Sequence, residues 1–111
     1  MATITDELMH QMLAKSKEYT IAFLREGPNA NIPNVQQTIW EHARRNFQLR
    51  SDGLLSIVSP ITEESEIKGL YIFNVSKEKA KQILDEDPAV KEGIFTYEVV
   101  TGRSFPGDAL Q

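Results

Sequence analysis

"IKGLYIFNVSKEKAKQILDEDPAVKEGIFTYEVV", residues 67–100, is the stretch that decides the predicted fold. Residues 67–75 are rich in apolar and aromatic side chains and predict a strand. Ser76 can cap a helix that runs through Asp85, in which apolar residues recur at helical spacing. Residues 93–102 predict a second strand. A strand, a helix and a strand therefore follow one another with short connections.

The residues before this stretch complete the predicted domain. Residues 18–26 predict a first strand, and residues 54–61 predict a second strand that is halted near Pro60. Residues 27–34 lie between them and form a loop by their Gly, Pro and Asn content. With a helix before the second strand, the order is βαββαβ. This is the ferredoxin-like, split βαβ pattern, an α+β fold in which both helices cover one face of an antiparallel sheet.

The helix between the first two strands is predicted to be long. Asn34 is its expected N-cap, with Gln37 three residues later as in a capping box. Apolar residues at helical spacing indicate which side faces the core. That predicted side consists of Val35, Ile39, Trp40, Ala43 and Phe47.

The N-terminal residues are predicted to lie outside this domain. Residues 5–16 favour a short helix in which Thr5 is the cap and acidic residues occupy the first turn. We therefore expect residues 1–17 to be a helical extension and residues 18–111 to be the ferredoxin-like domain.

Composition excludes several classes of function. The chain has 111 residues and no cysteine, so disulfides, thiolate nucleophiles and cysteine-based zinc sites are excluded. The net charge is −4 and the acidic excess lies in the second half, which argues against a nucleic-acid partner. The N-terminus does not resemble a signal peptide, and no apolar run is long enough to span a bilayer. We therefore expect a cytoplasmic protein with no membrane partner.

The two strands predicted to be central are apolar on both sides. In the first of them, Ile21 and Phe23 alternate with Ala22 and Leu24. The helices cover only one face of such a sheet, so the other face also needs cover. A second subunit's sheet would remove that face from water, at roughly 25 cal/mol per Å² of apolar area. We therefore predict a homodimer; the alternative is that the N-terminal helix folds across this face of a monomer.

His42 and Asp87 are the candidate catalytic residues. His42 falls on the inner flank of the long helix, where a ring nitrogen needs a hydrogen-bond partner. Asp87 precedes Pro88, an arrangement typical of the start of a helical turn. Each residue has a purely structural interpretation when taken alone. Together they predict a general acid/base pair, in which the carboxylate orients the imidazole and leaves its second nitrogen free.

Arg25 is a candidate substrate-binding residue at the end of the first strand. Its guanidinium group suits a substrate carboxylate, although an exposed arginine at a strand end needs no such role. No cofactor motif is present, and the sequence offers no convincing third ligand for a metal at His42 and Asp87. We therefore predict neither a cofactor nor a metal.

Two segments, "EHARRNFQLRSDGLLSIVSPI" (residues 41–61) and "GLYIFNVSKEKAKQILDEDPAVKEGIFTYEVV" (residues 69–100), resemble the YCII-related family in the order and spacing of their motifs. The resemblance covers roughly residues 19–105. It implies a dimeric ferredoxin-like α/β barrel with a His–Asp centre in a cleft, here His42 and Asp87. Where Gly-Pro is common in the family, this chain has Ser59 before its proline. That serine either adds a hydroxyl to the substrate site or simply ends the strand.

Three functions follow as hypotheses. The first is a small-molecule enzyme that uses the pair for elimination, isomerisation or lactone chemistry on a small carboxylated or phenolic compound. The second is a non-catalytic dimer that binds a small ligand in the same cleft. The third is a structural domain in which His42 and Asp87 only join the two helices. An enzyme predicts a solvent-reachable cleft at His42, whereas the structural hypothesis predicts a sealed contact.

Overall fold

A computed structural model of the protein describes residues 3 to 111 and confirms the α+β, ferredoxin-like fold. The four strands form one sheet in the order β2-β3-β1-β4, in which all neighbours are antiparallel. The first and third strands are central, as the pattern predicts. In chain order the elements are α1 Asp6–Ala14, β1 Lys17–Glu26, α2 Val35–Ser51, β2 Leu55–Pro60, β3 Ile67–Phe73, α3 Lys77–Asp85, α4 Pro88–Lys91 and β4 Phe95–Ser104.

The core lies between the sheet and the helices. Alternate residues of the central strands point towards the helices, as the period of two of a strand requires. Ala22 and Leu24 of β1 and Tyr71 and Phe73 of β3 are at most 2% exposed. From α3, the core receives the three apolar residues predicted from the helical spacing, Ala80, Ile83 and Leu84.

The opposite face of the sheet, called here the open face, carries a row of apolar residues across all four strands. Strand register pairs Ile57 with Ile72, Ile72 with Ile21, and Ile21 with Val100. Val100 is 42% exposed. Residues 104–110 line a cavity of about 440 Å³ with Tyr19 and other open-face residues. Only part of the open face is therefore near the tail that follows β4.

Helix α1 does not cover the open face. Thr5 caps it as predicted, with its side chain accepting a hydrogen bond from the backbone N–H of Leu8 at 3.1 Å. Among residues 3–111, however, no residue of α1 is buried. The alternative in which α1 folds across the sheet of its own chain is therefore not adopted. Every helix within residues 3–111 is too short or too polar to cross a membrane.

Two predictions for α2 are wrong. Asn34 does precede its first residue, but Asn34 has a left-handed backbone (φ 66°), and its side chain makes no capping bond within residues 3–111. The capping box therefore does not form. The predicted core-facing side is also wrong, because Trp40 is 64% and Phe47 61% exposed. The inner side of α2 instead buries His42, Asn46 and Leu49.

Candidate functional site

Asp87 is positioned by the start of the short helix α4. Its Oδ1 accepts a hydrogen bond from the backbone N–H of Ala89 at 2.8 Å, and Pro88 is the first helical residue. The backbone N–H of Asp87 donates to the carbonyl of Leu84, which ties α4 to the end of α3. Gly93 follows with φ +76°, a conformation that favours glycine. The predicted turn is therefore present, and it leaves Oδ2 of Asp87 available for another partner.

That partner is His42. Its Nδ1 lies 2.8 Å from Oδ2 of Asp87, although the two residues are 45 positions apart. Because an ionised carboxylate only accepts hydrogen bonds, Nδ1 of the imidazole carries the hydrogen in this contact. Nε2 is then an acceptor when the ring is neutral. The contact predicted between the two residues is present, and its geometry selects one tautomer.

The second ring nitrogen is not free. The hydroxyl of Tyr71 lies 3.1 Å from Nε2 of His42, and Nδ2 of Asn46 lies 2.9 Å from the same hydroxyl oxygen. Because Nε2 is an acceptor, the Tyr71 O–H donates to it, and Asn46 in turn donates to Tyr71. Hydrogen bonds therefore run in one direction from Asn46 through Tyr71 and His42 to Asp87. The prediction that one nitrogen is left free is wrong in this respect.

The pair is enclosed rather than open. The side chain of His42 is 10% exposed and that of Asp87 is 1% exposed. The centroid of the Phe95 ring lies 5.3 Å from that of the His42 ring, and the centroid of the Tyr71 ring lies 6.4 Å from it. Neither residue of the pair lines the cavity beneath the C-terminal tail. In place of the solvent-reachable cleft predicted for an enzyme, only a tenth of the His42 side chain is exposed.

Burial determines the protonation of Tyr71 at this site. Burial raises the pKa of Tyr71 far above its ordinary value, and the carboxylate of Asp87 acts in the same direction. The hydrogen bond from Asn46, the second-largest cause, and the charge of Arg45, the smallest, lower the pKa of Tyr71 but do not offset its burial. Tyr71 therefore stays a hydrogen-bond donor across the physiological range. Arg45 donates to the carbonyl of Ile83 at 2.7 Å and places its Nη1 3.7 Å from Oδ2 of Asp87.

Asn46 has an unused polar atom at the centre of this cluster. Its Oδ1 is buried and has no hydrogen-bond partner among residues 3–111. A buried acceptor without a partner costs about 1–3 kcal/mol, so such atoms are uncommon. The site therefore retains one acceptor that a water or ligand donor would satisfy.

Arg25 and Ser59 lie away from the pair. Arg25 alternates with the buried Leu24 and so points to the open face, where its guanidinium group donates to Oε1 of Glu98 at 2.7 and 3.1 Å. Ser59 is exposed on the edge strand β2 and pairs with Leu70. Their roles in substrate binding stay a prediction, and neither side chain is brought to His42 within one chain.

Sequence reasoning missed Tyr71, Asn46 and Arg45. Asn46 follows His42 by four residues and thus lies on the same side of a helix, which is a signal that the spacing contained. Tyr71 is read from sequence as an ordinary apolar strand residue. Nothing local shows that its hydroxyl reaches the imidazole.

No group of three or more His, Asp or Glu side chains within residues 3–111 is arranged to hold a metal ion. Around the pair, the nearest additional polar groups are a guanidinium, a phenol and a carboxamide. This set suits proton transfer and the binding of an oxygen-bearing small molecule.

No family model and no curated protein matches the chain. Among solved structures, the chain is similar to 5-chloro-2-hydroxyhydroquinone dehydrochlorinase from Burkholderia phenoliruptrix, determined in complex with 2,5-dihydroxybenzoquinone. The two are 15% identical with a TM-score of 0.50, over 80% of this chain and 95% of that chain. The likeness extends over almost the whole of that enzyme and shows that the two proteins share a fold.

Proposed function

We propose that the protein is a YCII-related small-molecule enzyme in which His42 transfers a proton and Asp87 orients it. The observation that carries this proposal is the 2.8 Å contact between Nδ1 of His42 and Oδ2 of Asp87. A carboxylate held at this distance stabilises the imidazolium that forms when Nε2 takes a proton. The order of motifs in residues 41–61 and 69–100 supports the assignment to the family.

The proposed reaction begins with proton abstraction. Neutral His42 accepts a proton at Nε2 from a carbon or oxygen of the substrate, and the pair of electrons left behind forms a new π bond. In an elimination, a leaving group departs with the electrons of its own bond, and the imidazolium later returns its proton to water. In an isomerisation, the imidazolium returns the proton to a different atom of the substrate. Both reactions need only the groups present at this site.

Tyr71 is proposed to bind the substrate oxygen. In the structure its O–H donates to Nε2 of His42. A phenolate, carboxylate or carbonyl oxygen that accepts this hydrogen instead would release Nε2 to act as the base. The raised pKa of Tyr71 keeps its hydroxyl protonated for that role.

A small carboxylated or phenolic compound is the proposed substrate class. The dehydrochlorinase that shares this fold acts on a chlorinated hydroquinone, so elimination from halogenated phenols is the first reaction to test. Small lactones are the second class. We also propose that the active form is a homodimer whose sheets pack through the open face, because that face carries an apolar row across all four strands.

A second candidate function is a structural or ligand-binding domain without turnover. The observation that favours it is burial, since Asp87 is 1% exposed and Tyr71 occupies Nε2. In that case the pair joins α2 to α4. A ligand, where one binds, is held without chemical change.

The experiment that separates these functions is a turnover screen of halogenated phenols and small lactones with the wild type and three variants. His42→Ala and Asp87→Asn are expected to lose activity by two or more orders of magnitude, as is usual for a general base. His10→Ala is the matched control, because His10 is the only other histidine and is exposed on α1. Full activity in both site variants would disprove the proposed mechanism, and saturable binding without turnover would establish the second candidate.

A further inference from the structure

The solvent side of α2 carries an exposed apolar surface. It consists of Trp40, Ala43 and Phe47, called here the outer stripe, which recur at helical spacing. Trp40 is 64% and Phe47 is 61% exposed, although both are large apolar residues. With Arg44 they line a shallow depression of about 260 Å³. Large aromatic residues grouped on a surface are typical of protein interfaces.

Helix α1 carries a second exposed apolar surface. Leu8, Met9, Met12 and Leu13 fall within one side of the helix at 100° per residue and are called here the α1 stripe. Met9, Met12 and Leu13 are between 44% and 50% exposed. An isolated helix of nine residues is marginal in water, so a short amphipathic helix needs a surface to bind.

The charges of the two surfaces are complementary. Arg44 and Arg50 flank the outer stripe. Arg44 is paired with Glu41 of the same helix at 3.2 Å, and the guanidinium group of Arg50 lies 5.5 Å from the Phe47 ring. The first turn of α1 contains Asp6 and Glu7, and its last turn contains no basic residue. When α1 lies along the outer stripe, the acidic first turn of α1 can therefore contact the arginines beside that stripe.

The connection of α1 to the sheet keeps its stripe away from its own chain. Only two residues join α1 to β1, and Arg103 donates to both the carbonyl and the hydroxyl of Ser16 at 3.3 and 3.1 Å. This contact holds the base of α1 beside the end of β4. Within residues 3–111, α1 buries none of its residues, and the molecule measures 56 × 28 × 22 Å. Each chain thus presents both the helix and the surface that the helix would cover.

We infer that the α1 stripe of one copy docks on the outer stripe of a second copy. Reciprocal docking around a two-fold axis covers both outer stripes with two identical contacts and leaves none exposed. The mode is that of an amphipathic helix bound in an apolar groove, with anchors at positions i, i+3 or i+4. The outer stripe lies on the side of α2 opposite His42, so this contact does not depend on the proposed chemistry.

Trp40 is the only tryptophan of the chain, and its fluorescence reports directly on the outer stripe. We expect the emission maximum to move to shorter wavelength, and acrylamide quenching to fall, as the concentration of the full chain is raised. Sedimentation velocity over the same range should show association beyond the open-face dimer at the same concentrations. Met12→Lys with Leu13→Lys should abolish both changes, because the new charges face the apolar stripe and its arginines.

Gln11→Lys is the matched control, since Gln11 lies in the same helix on the polar side and should leave both changes intact. A dimer in which Trp40 stays fully quenchable would overturn the inference, because the outer stripe would then lie outside the contact. A monomer whose Trp40 is protected at every concentration would also overturn it, since α1 would then cover its own chain.

Discussion

His42 has a defined tautomer because the hydrogen-bond partner of its Nδ1 is an acceptor only. Asp87 accepts at 2.8 Å from Nδ1, so the hydrogen resides on that nitrogen. We expect the ring nitrogens of His42 to show the Nδ1–H form in nitrogen-15 NMR spectra at neutral pH. Asp87→Asn, whose amide presents either an acceptor or a donor, should populate both tautomers. His10 is the internal control, and a wild-type Nε2–H form at His42 would contradict this assignment.

The hydroxyl of Tyr71 makes two buried hydrogen bonds, one to His42 and one from Asn46. In Tyr71→Phe, Nε2 of His42 and Nδ2 of Asn46 both lose their bond to the hydroxyl, and only the longer contact between them, at 3.4 Å, is left. We expect the free energy of unfolding to fall by about 1–3 kcal/mol, measured by urea denaturation. Tyr97→Phe is the matched control, because Tyr97 donates to Asp85 in an exposed contact and its loss should cost less than about 1 kcal/mol. Equal losses in the two variants would contradict the buried relay.

Alkaline pH should destabilise the protein through the same two tyrosines. Burial, with a hydrogen bond to Asp85, raises the pKa of Tyr97 from 10.0 to about 12, and burial raises the pKa of Tyr71 further. The unfolded chain therefore releases these protons at lower pH than the folded protein does. The resulting stability is complete below about pH 10 and is lost as the pH rises through about 12. Denaturation measured along this range should show a shallower decline in Tyr71→Phe and Tyr97→Phe, and an unchanged decline in both would refute the assignment.

At the scale of elements, the loop that follows β1 is held against the turn that follows α4. The backbone N–H of Gly27 donates to the carbonyl of Ile94 at 2.7 Å, and that of Asn29 donates to the carbonyl of Gly93 at 2.9 Å. The side chain of Asn29 adds a bond to the carbonyl of Glu92 at 2.9 Å. These contacts fix the turn whose start presents Asp87.

Glycine at position 27 is required by this close approach. A Cβ atom there would overlap the carbonyl oxygen of Gly93, which belongs to the backbone and cannot move aside easily. We expect Gly27→Ala to lower the free energy of unfolding by about 1–3 kcal/mol and to broaden the His42 signals. Gly53→Ala is the control, since φ is +77° there but no atom lies within 4 Å, and it should cost about 1 kcal/mol without affecting His42. A tolerated Gly27→Ala would show that the loop can separate from the turn.

At the scale of the whole molecule, the open face is an apolar surface that spans all four strands and that a single chain leaves partly exposed. Ile72 lies at the middle of its apolar row, between Ile57 and Ile21. We expect the chain to sediment as a dimer at micromolar concentration and Ile72→Asp to weaken that dimer at least tenfold, because a buried unpaired charge is costly. Lys81→Asp, on the exposed side of α3, should leave association unchanged. A monomeric wild type would disprove the homodimer.

The elements and their order were predictable from the sequence because each depends on local periods and local hydrogen bonds. Thr5, Ser76 and Asp87 cap their helices through bonds that span two or three residues, and the pattern around each predicts it. The βαββαβ order then limits the possible topologies to a few, and it brings the end of α3 towards α2. The neighbourhood of His42 and Asp87 follows from that topology together with the resemblance.

Only the tertiary structure decided how α2 is rotated about its axis on the sheet. That rotation buries Asn46 and exposes Trp40 and Phe47. The spacing of apolar residues along α2 therefore predicts the wrong inner side. The rotation also brings Tyr71 to Nε2 of His42, a contact between positions 29 apart. The physical reason is that polar side chains of a helix can be buried when they form hydrogen bonds with other buried groups. Here those partners lie on elements distant in the chain, so the local sequence does not reveal them.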